Sequence, residues 1–197
     1  GRRVGLPFSM TEGFHPKPRI GFPSALALGV EGLDEVVEID LNEDVAPDDL
    51  LKTIIDDRQP GLTIKSVKRI PEGLPKAQLQ QGDFTISIPP SADRSGVDDA
   101  IGKLLGSGKV TIQRKKKDVT VDIASHVPEL RIDGDVLRLS LHATEGASLR
   151  PEDILRLLGI DDWIAQGALI VRHTVHLKQE YETNDPQQIA IAPDPAS

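Results

Sequence analysis

The chain shows the same pattern twice: short stretches of alternating apolar residues, each accompanied by a single amphipathic helix. In the first half, residues 35–41 alternate as in a half-buried strand, Pro47 begins a helix, and residues 62–70 predict a further strand. Residues 73–81 have little apolar content, and the alternation starts again at Phe84. Neither half has the glycine-rich strand-to-helix turn of a dinucleotide-binding fold. The sequence therefore predicts an α+β protein with two ferredoxin-like α/β-sandwich subdomains and mainly antiparallel sheets.

Breaks in these patterns predict the domain boundaries. The first subdomain is expected over residues 1–72, a linker over 73–81, and the second subdomain over 82–182. Residues 183–197 contain three prolines and no periodicity, and we expect them to be a disordered tail. The first residues have the features of a helix end that is capped at Gly5. We therefore expect an N-terminal truncation, with a strand and a helix of the first subdomain missing.

Cysteine is absent from all 197 residues. This absence excludes disulfides, zinc fingers and cysteine-ligated iron–sulfur clusters within this chain. It also fits a reducing, cytoplasmic location. Since no apolar run approaches the ~20 residues of a membrane span, we expect no membrane partner.

The charges are strongly segregated along the chain. The formal net charge of -8 argues against a protein that nucleic acid coats uniformly. Residues 1–22 nevertheless have four basic residues and one acid, and residues 103–117 have six basic residues and no acid. Residues 31–57 have eleven acids and one base. These runs allow a local anion-binding surface, and the alternative is that each run is only a solvated face.

The loop near the start of the chain concentrates titratable and cationic groups. His15, Lys17 and Arg19 alternate with two prolines, and a residue that precedes proline is pushed toward extended geometry. Side chains two apart in an extended segment point the same way, so this row could bind phosphates or a carboxylate, with Glu12 orienting His15. The alternative is a stiff connection whose cations pair with the acidic residues 31–57.

A second basic cluster consists of Arg114, Lys115, Lys116 and Lys117. Alternating apolar residues on both sides predict a β-hairpin with this cluster at its tip. The tip could follow a phosphate backbone. Its alternative role is that of a charged hairpin end that keeps the chain soluble and prevents edge pairing.

Other chemistries have little support in the sequence. His173 and His176 are three apart on a predicted strand, so we expect them on opposite faces and predict no metal site. No serine lies in the context of a nucleophile elbow. Aromatic residues make up 3% of the chain, which argues against recognition of RNA bases by stacking.

Several motifs resemble a radical-SAM-linked bacterial domain of unknown function, which stands alone or is fused to B12-binding radical-SAM proteins. The matching segments are Gly5-Leu6-Pro7, Glu12-Gly13-Phe14-His15-Pro16-Lys17-Pro18-Arg19-Ile20, Ala25-Leu26, Leu28-Gly29-Val30-Glu31, the basic hairpin up to Val121-Asp122-Ile123, and Leu149-Arg150-Pro151-Glu152. The resemblance implies further N-terminal sequence, an RNA-related role and a radical-SAM enzyme as partner in cis or in trans. The iron–sulfur cluster and S-adenosylmethionine would belong to that partner or to a missing domain, and the resemblance implies no catalytic residue in this chain.

These observations together predict a non-catalytic accessory domain of a radical-SAM modification system. It would bind or present a polyanionic substrate, RNA, through Glu12, His15, Lys17, Arg19 and the basic hairpin tip. A protein-interaction domain that docks the radical-SAM partner is the first alternative. An enzyme in its own right, with Glu12 and His15 as an acid–base pair, is the second.

Overall fold

The computed structural model describes residues 5–57, 59–71, 73–114, 118–144 and 148–179. Its strands are β1 (Ile20–Gly21), β2 (Val30–Gly32), β3 (Glu38–Ile39), β4 (Leu79–Ser87), β5 (Lys109–Ile112), β6 (Val119–Asp122), β7 (Glu129–Asp133), β8 (Val136–His142) and β9 (Ile170–Leu177). Its helices are α1 (Pro47–Asp56), α2 (Val97–Leu105), α3 (Ile123–His126), α4 (Pro151–Leu158) and α5 (Asp162–Ala165). The residues up to Phe22 and Val37–Lys76 belong to one compact unit, and Pro23–Val36 and Ala77–Lys178 form another. The predicted boundaries of the subdomains stay a prediction.

The first unit is small and has little core. Strands β1 and β3 pair antiparallel, and α1 begins with Pro47 at its first turn. Among the described residues of this unit, Leu50 is the one buried side chain. The strand expected over residues 62–70 is not formed, and Leu62 makes only an isolated bridge to Gln59. An alternating pattern becomes a strand only where a neighbouring strand accepts its hydrogen bonds, and residues 63–70 have no such neighbour in the described chain.

The second unit has the ferredoxin-like arrangement. Its sheet has the strand order β2-β9-β4-β8-β7, and the pairs β9·β4, β4·β8 and β8·β7 are all antiparallel. In chain order β4, α2, β7, β8, α4 and β9 form a β-α-β-β-α-β unit. The antiparallel β5–β6 hairpin and α3 are inserted between α2 and β7. The predicted α+β class with mainly antiparallel sheets is thus confirmed.

One hydrophobic core of the second unit joins α2, α3, α4, α5, the β5–β6 hairpin and one face of this sheet. Its fully buried aliphatic side chains are Ile86, Ile123, Leu137, Leu139, Ile154 and Leu155. Helix α4 begins at Pro151, and the Asp153 carboxylate accepts a hydrogen bond from the Arg150 N–H, which satisfies one donor at the helix start. The helix ends at Gly159, whose φ of 73° only glycine adopts easily. No helix in the described ranges has both the length and the apolar character needed to cross a bilayer.

The segment Pro23–Val36 is fixed to the edge of this sheet through Arg172. Strand β2 pairs parallel with β9. Arg172 is a residue of β9 and is 4% exposed. Its guanidinium donates to both carboxylate oxygens of Glu35, at 2.7 Å for the Nε–Oε1 pair, and to Ser24 Oγ at 2.9 Å. The Leu33 N–H donates to the Arg172 carbonyl at 2.9 Å. One buried side chain therefore holds both ends of a segment that is distant in the sequence.

A β-bulge in β9 overturns the expected orientation of the two histidines. Asp83 is opposite Thr174 and Phe84 is opposite Arg172, so His173 is an extra residue in β9. His173 Nε2 lies 2.7 Å from Thr85 Oγ1, and His176 Nε2 lies 2.6 Å from Asp83 Oδ2. Asp83 and Thr85 are two apart on β4, so both histidines lie on one sheet face and the prediction of opposite faces was wrong. Even so, no three His, Cys, Asp or Glu side chains among the described residues are grouped so that they could hold a metal ion.

Candidate anion-binding site

The opening loop is closed by backbone hydrogen bonds between two extended segments. The Arg19 N–H donates to the Ser9 carbonyl, and the Thr11 N–H donates to the Lys17 carbonyl, each at 2.8 Å. The Lys17 N–H donates to Thr11 Oγ1 at 3.0 Å. Both prolines lack an N–H, and the N–H groups of the residues between and after them make these bonds. Residues 12–16 therefore form a fixed loop that leads directly into Lys17 and Arg19.

An open depression of about 540 Å³ lies beside this loop. It is lined by Thr11, Glu12, Pro18, Arg19, Ile20, Asp40 and Lys76. The structure thus brings together two of the predicted site residues, Glu12 and Arg19. Two further lining residues, which the sequence did not indicate, are Asp40 and Lys76. Lys76 Nζ lies 3.9 Å from Asp40 Oδ2. Asp40 reaches the loop because its N–H donates to the Arg19 carbonyl and its carbonyl accepts from the Ser9 N–H, and no local sequence signal reports such pairing.

The predicted loop residues have free side chains. Glu12, His15, Lys17 and Arg19 are all exposed, and their side chains make no hydrogen bond or ion pair to another described residue. Within the described residues, the cations are therefore not neutralised by the acids of residues 31–57. His15 and Lys17 do not line the depression. No hydrogen bond joins Glu12 to His15 in the structure, and Glu12 lines the depression whereas His15 does not.

The basic hairpin is formed, but its first cation is already engaged. Arg114 Nη2 donates to Asp153 Oδ2 at 2.6 Å and to the Ser148 carbonyl at 3.0 Å. Asp153 also accepts from the Arg150 N–H at the start of α4. The geometry of Arg114 therefore favours a structural role, in which it ties the hairpin to α4. Lys115, Lys116 and Lys117 lie outside the described residues.

A polar cluster on the face of the large sheet opposite its hydrophobic core centres on Asp83. Its Oδ1 accepts hydrogen bonds from Ser140 Oγ and Gln81 Nε2, each at 2.7 Å, and its Oδ2 faces His176. Partial burial raises the pKa of Asp83, but the hydrogen bonds from Ser140, His176 and Gln81 outweigh it and hold this pKa below 3.8. The cluster lies on β4, β8 and β9, three strands that are far apart in the sequence.

Replacing Asp83 with asparagine is expected to lower the free energy of unfolding at pH 7 by about 1 kcal/mol. A carboxyl whose pKa is lower in the folded state stabilises the fold above its unfolded pKa of 3.8, and this contribution is lost as the pH falls through the folded value. The variant should therefore lose less stability than the wild type on acidification below that pH. Urea unfolding at a series of pH values measures both effects, and Ser140→Ala should show the same change at reduced size. If stability depends on pH in Asp83→Asn as it does in the wild type, the lowered pKa of Asp83 is contradicted.

Comparison with protein families places the chain. Residues 1–151 match the model of DUF2344, an uncharacterized protein conserved in bacteria. The chain belongs to this family. The match includes the opening loop, the residues that line the depression, and the β5–β6 hairpin. Helix α4 after its first residue, α5 and β9 lie beyond the matched residues. No curated protein and no solved structure matches the chain.

Proposed function

We propose that this DUF2344 chain is a non-catalytic accessory domain that binds RNA and presents it to a radical-SAM enzyme, in cis or in trans, in the cytoplasm. The iron–sulfur cluster and S-adenosylmethionine belong to that partner. The observation that supports RNA binding best is the opening loop, where His15, Lys17 and Arg19 are exposed and unpaired with any described residue. The radical-SAM partner is supported by the sequence resemblance.

Free cations on an acidic protein favour a polyanionic ligand. The chain has a formal net charge of -8, so it has more carboxylates than cations. Lys17 and Arg19 nevertheless form no ion pair with a described residue. A guanidinium binds phosphate in a bidentate manner, and neutralised phosphates release condensed counterions, which makes the binding strongly salt-dependent. Glu12 and Asp40 also line the depression and would repel phosphates from part of it. This repulsion would restrict the path of the RNA backbone.

Charge reversal in the loop tests the proposal. Lys17→Glu with Arg19→Glu is expected to weaken binding of a labelled single-stranded RNA at least about tenfold at low salt. It should also reduce the slope of log K against log salt by about 1.4, because each phosphate contact on a single strand contributes about 0.7. Fluorescence anisotropy over a range of salt concentrations measures both quantities.

The matched control is Lys52→Glu with Lys68→Glu, which changes the net charge equally at two exposed lysines of the same unit. It should leave most of the affinity and the slope intact. An equal loss in both double variants would show that only net charge matters. Salt-insensitive binding, or no binding by the wild type, would contradict the proposal.

A protein-interaction domain that docks the radical-SAM enzyme is the second candidate. The observation that favours it is a set of exposed apolar side chains in the first unit, where Phe22, Val37, Ile55 and Leu62 are 64%, 47%, 47% and 58% exposed. Exposed apolar side chains are typical of a protein contact surface where they form one contiguous patch. Co-purification of the enzyme that survives both nuclease treatment and the loop charge reversal would favour this candidate over RNA binding.

A further inference from the structure

The few aromatic residues of this chain are placed unevenly between core and surface. Trp163 is 1% exposed, and Phe8 and Phe84 are half-buried. Phe14 and Phe22 are 102% and 64% exposed, and no other aromatic residue of the described chain is exposed. Both belong to the segment that contains His15, Lys17 and Arg19. The low aromatic content argued against base stacking, but the position of these two rings argues for it.

Phe14 is the fully exposed member of this pair, and the loop holds it there. Gly13 has a φ of 119°, a conformation that essentially only glycine adopts, so the turn before Phe14 depends on that glycine. The hydrogen bonds between Thr11 and Lys17 close the loop that contains Phe14. With full exposure, the Phe14 ring packs on nothing in the described chain and adds nothing to the core. A phenylalanine in this position has an apolar face available to a ligand.

Unpaired nucleic-acid bases fit this arrangement of ring and cations. Single-stranded RNA is held by aromatic rings that stack on splayed bases and by cations that contact the phosphates. In a duplex the bases are stacked inside the helix, where a single exposed ring does not reach their faces. A protein partner would also cover an exposed phenylalanine, but it would not account for three free cationic or titratable groups within five residues of it.

We propose that Phe14 stacks on an unpaired base of single-stranded RNA while Lys17 and Arg19 contact the adjacent phosphates. This inference rests on the proposed function and names its substrate class: single strands or loops rather than duplex RNA. Base stacking is tolerant of sequence, so the loop has no built-in preference for one base.

The test compares Phe14→Leu with Phe22→Leu, which makes the same chemical change at the other exposed aromatic. Binding of labelled oligoadenylate to Phe14→Leu is expected to be roughly tenfold weaker than to the wild type, with an unchanged salt slope. Phe14→Trp should keep the affinity, since it retains a stacking face. Phe22→Leu should bind within about twofold of the wild type. Thermal unfolding should be unchanged in Phe14→Leu, because the ring packs on nothing.

A ligand-side control separates stacking from charge. An abasic strand has the same phosphates and no bases, so the wild type and Phe14→Leu should bind it equally. The wild type should bind it more weakly than it binds oligoadenylate. Wild-type affinity of Phe14→Leu for oligoadenylate, or an equal loss in Phe22→Leu, would overturn the inference while leaving RNA binding standing. Absence of binding by the wild type to oligoadenylate and to duplex RNA alike would overturn both proposals.

Discussion

Replacing Arg172 with methionine is expected to lower the free energy of unfolding by about 2–3 kcal/mol. The side chain is 4% exposed and pairs with Glu35 through two hydrogen bonds, so its removal leaves a partly buried carboxylate without a partner. Loss of one member of a buried ion pair costs about 3–5 kcal/mol, and Glu35, at 31% exposure, keeps some hydration that reduces this cost. A Cβ at Gly32 would lie 2.6 Å from Glu35 Oε1, so the carboxylate also lies close against the β2 backbone.

Urea unfolding followed by the fluorescence of Trp163, the single tryptophan, measures this effect within the same unit. Arg138→Met is the matched control, because Arg138 pairs with Asp133 and its side chain is 44% exposed. Its loss should lower the free energy of unfolding far less, because an ion pair in water contributes little to stability. Equal stabilities of the two variants would show that the Arg172 pair does not hold the segment Pro23–Val36 in place.

Replacing Leu139 with alanine is expected to lower the free energy of unfolding by about 3 kcal/mol. Leu139 is 1% exposed in β8, a strand with a neighbour on either side. Its truncation removes buried apolar surface and leaves a cavity. Strand β8 cannot move to fill this cavity, because β4 and β7 hold it on both sides. The same change at Leu169, which is 63% exposed, should alter stability by no more than about 0.5 kcal/mol.

Chemical denaturation of both leucine variants checks the position of the core. A large loss in Leu139→Ala with little change in Leu169→Ala is the expected outcome. A similar loss in both would mean that the face of β8 buried against the helices is misassigned. Since Trp163 belongs to the same core cluster, its fluorescence follows the loss of packing directly.

The arrangement of the opening loop combines local and distant contributions. Proline spacing predicted an extended Lys17–Arg19 segment, and steric restriction by proline acts between neighbours, so sequence is sufficient for it. Pairing with Asp40 and the approach of Lys76 require β1 to meet β3, which is a contact across the fold. Phe14 is fully exposed because no distant segment of the described chain packs on its ring. The sequence of the loop alone does not predict this.

Sequence by itself determined the α+β class, the paired strands on either side of the basic cluster, and the start of α1 at Pro47. These features depend on periodicity, proline and glycine geometry and caps, all of which act over a few residues. Only the tertiary structure decided that β2 joins β9, that a bulge brings His173 and His176 to one face, and that Arg114 binds Asp153. Each of these depends on which distant segments share a hydrogen-bonded register or a buried carboxylate, and the free energy of such contacts exists only once the chain has closed the loops between them.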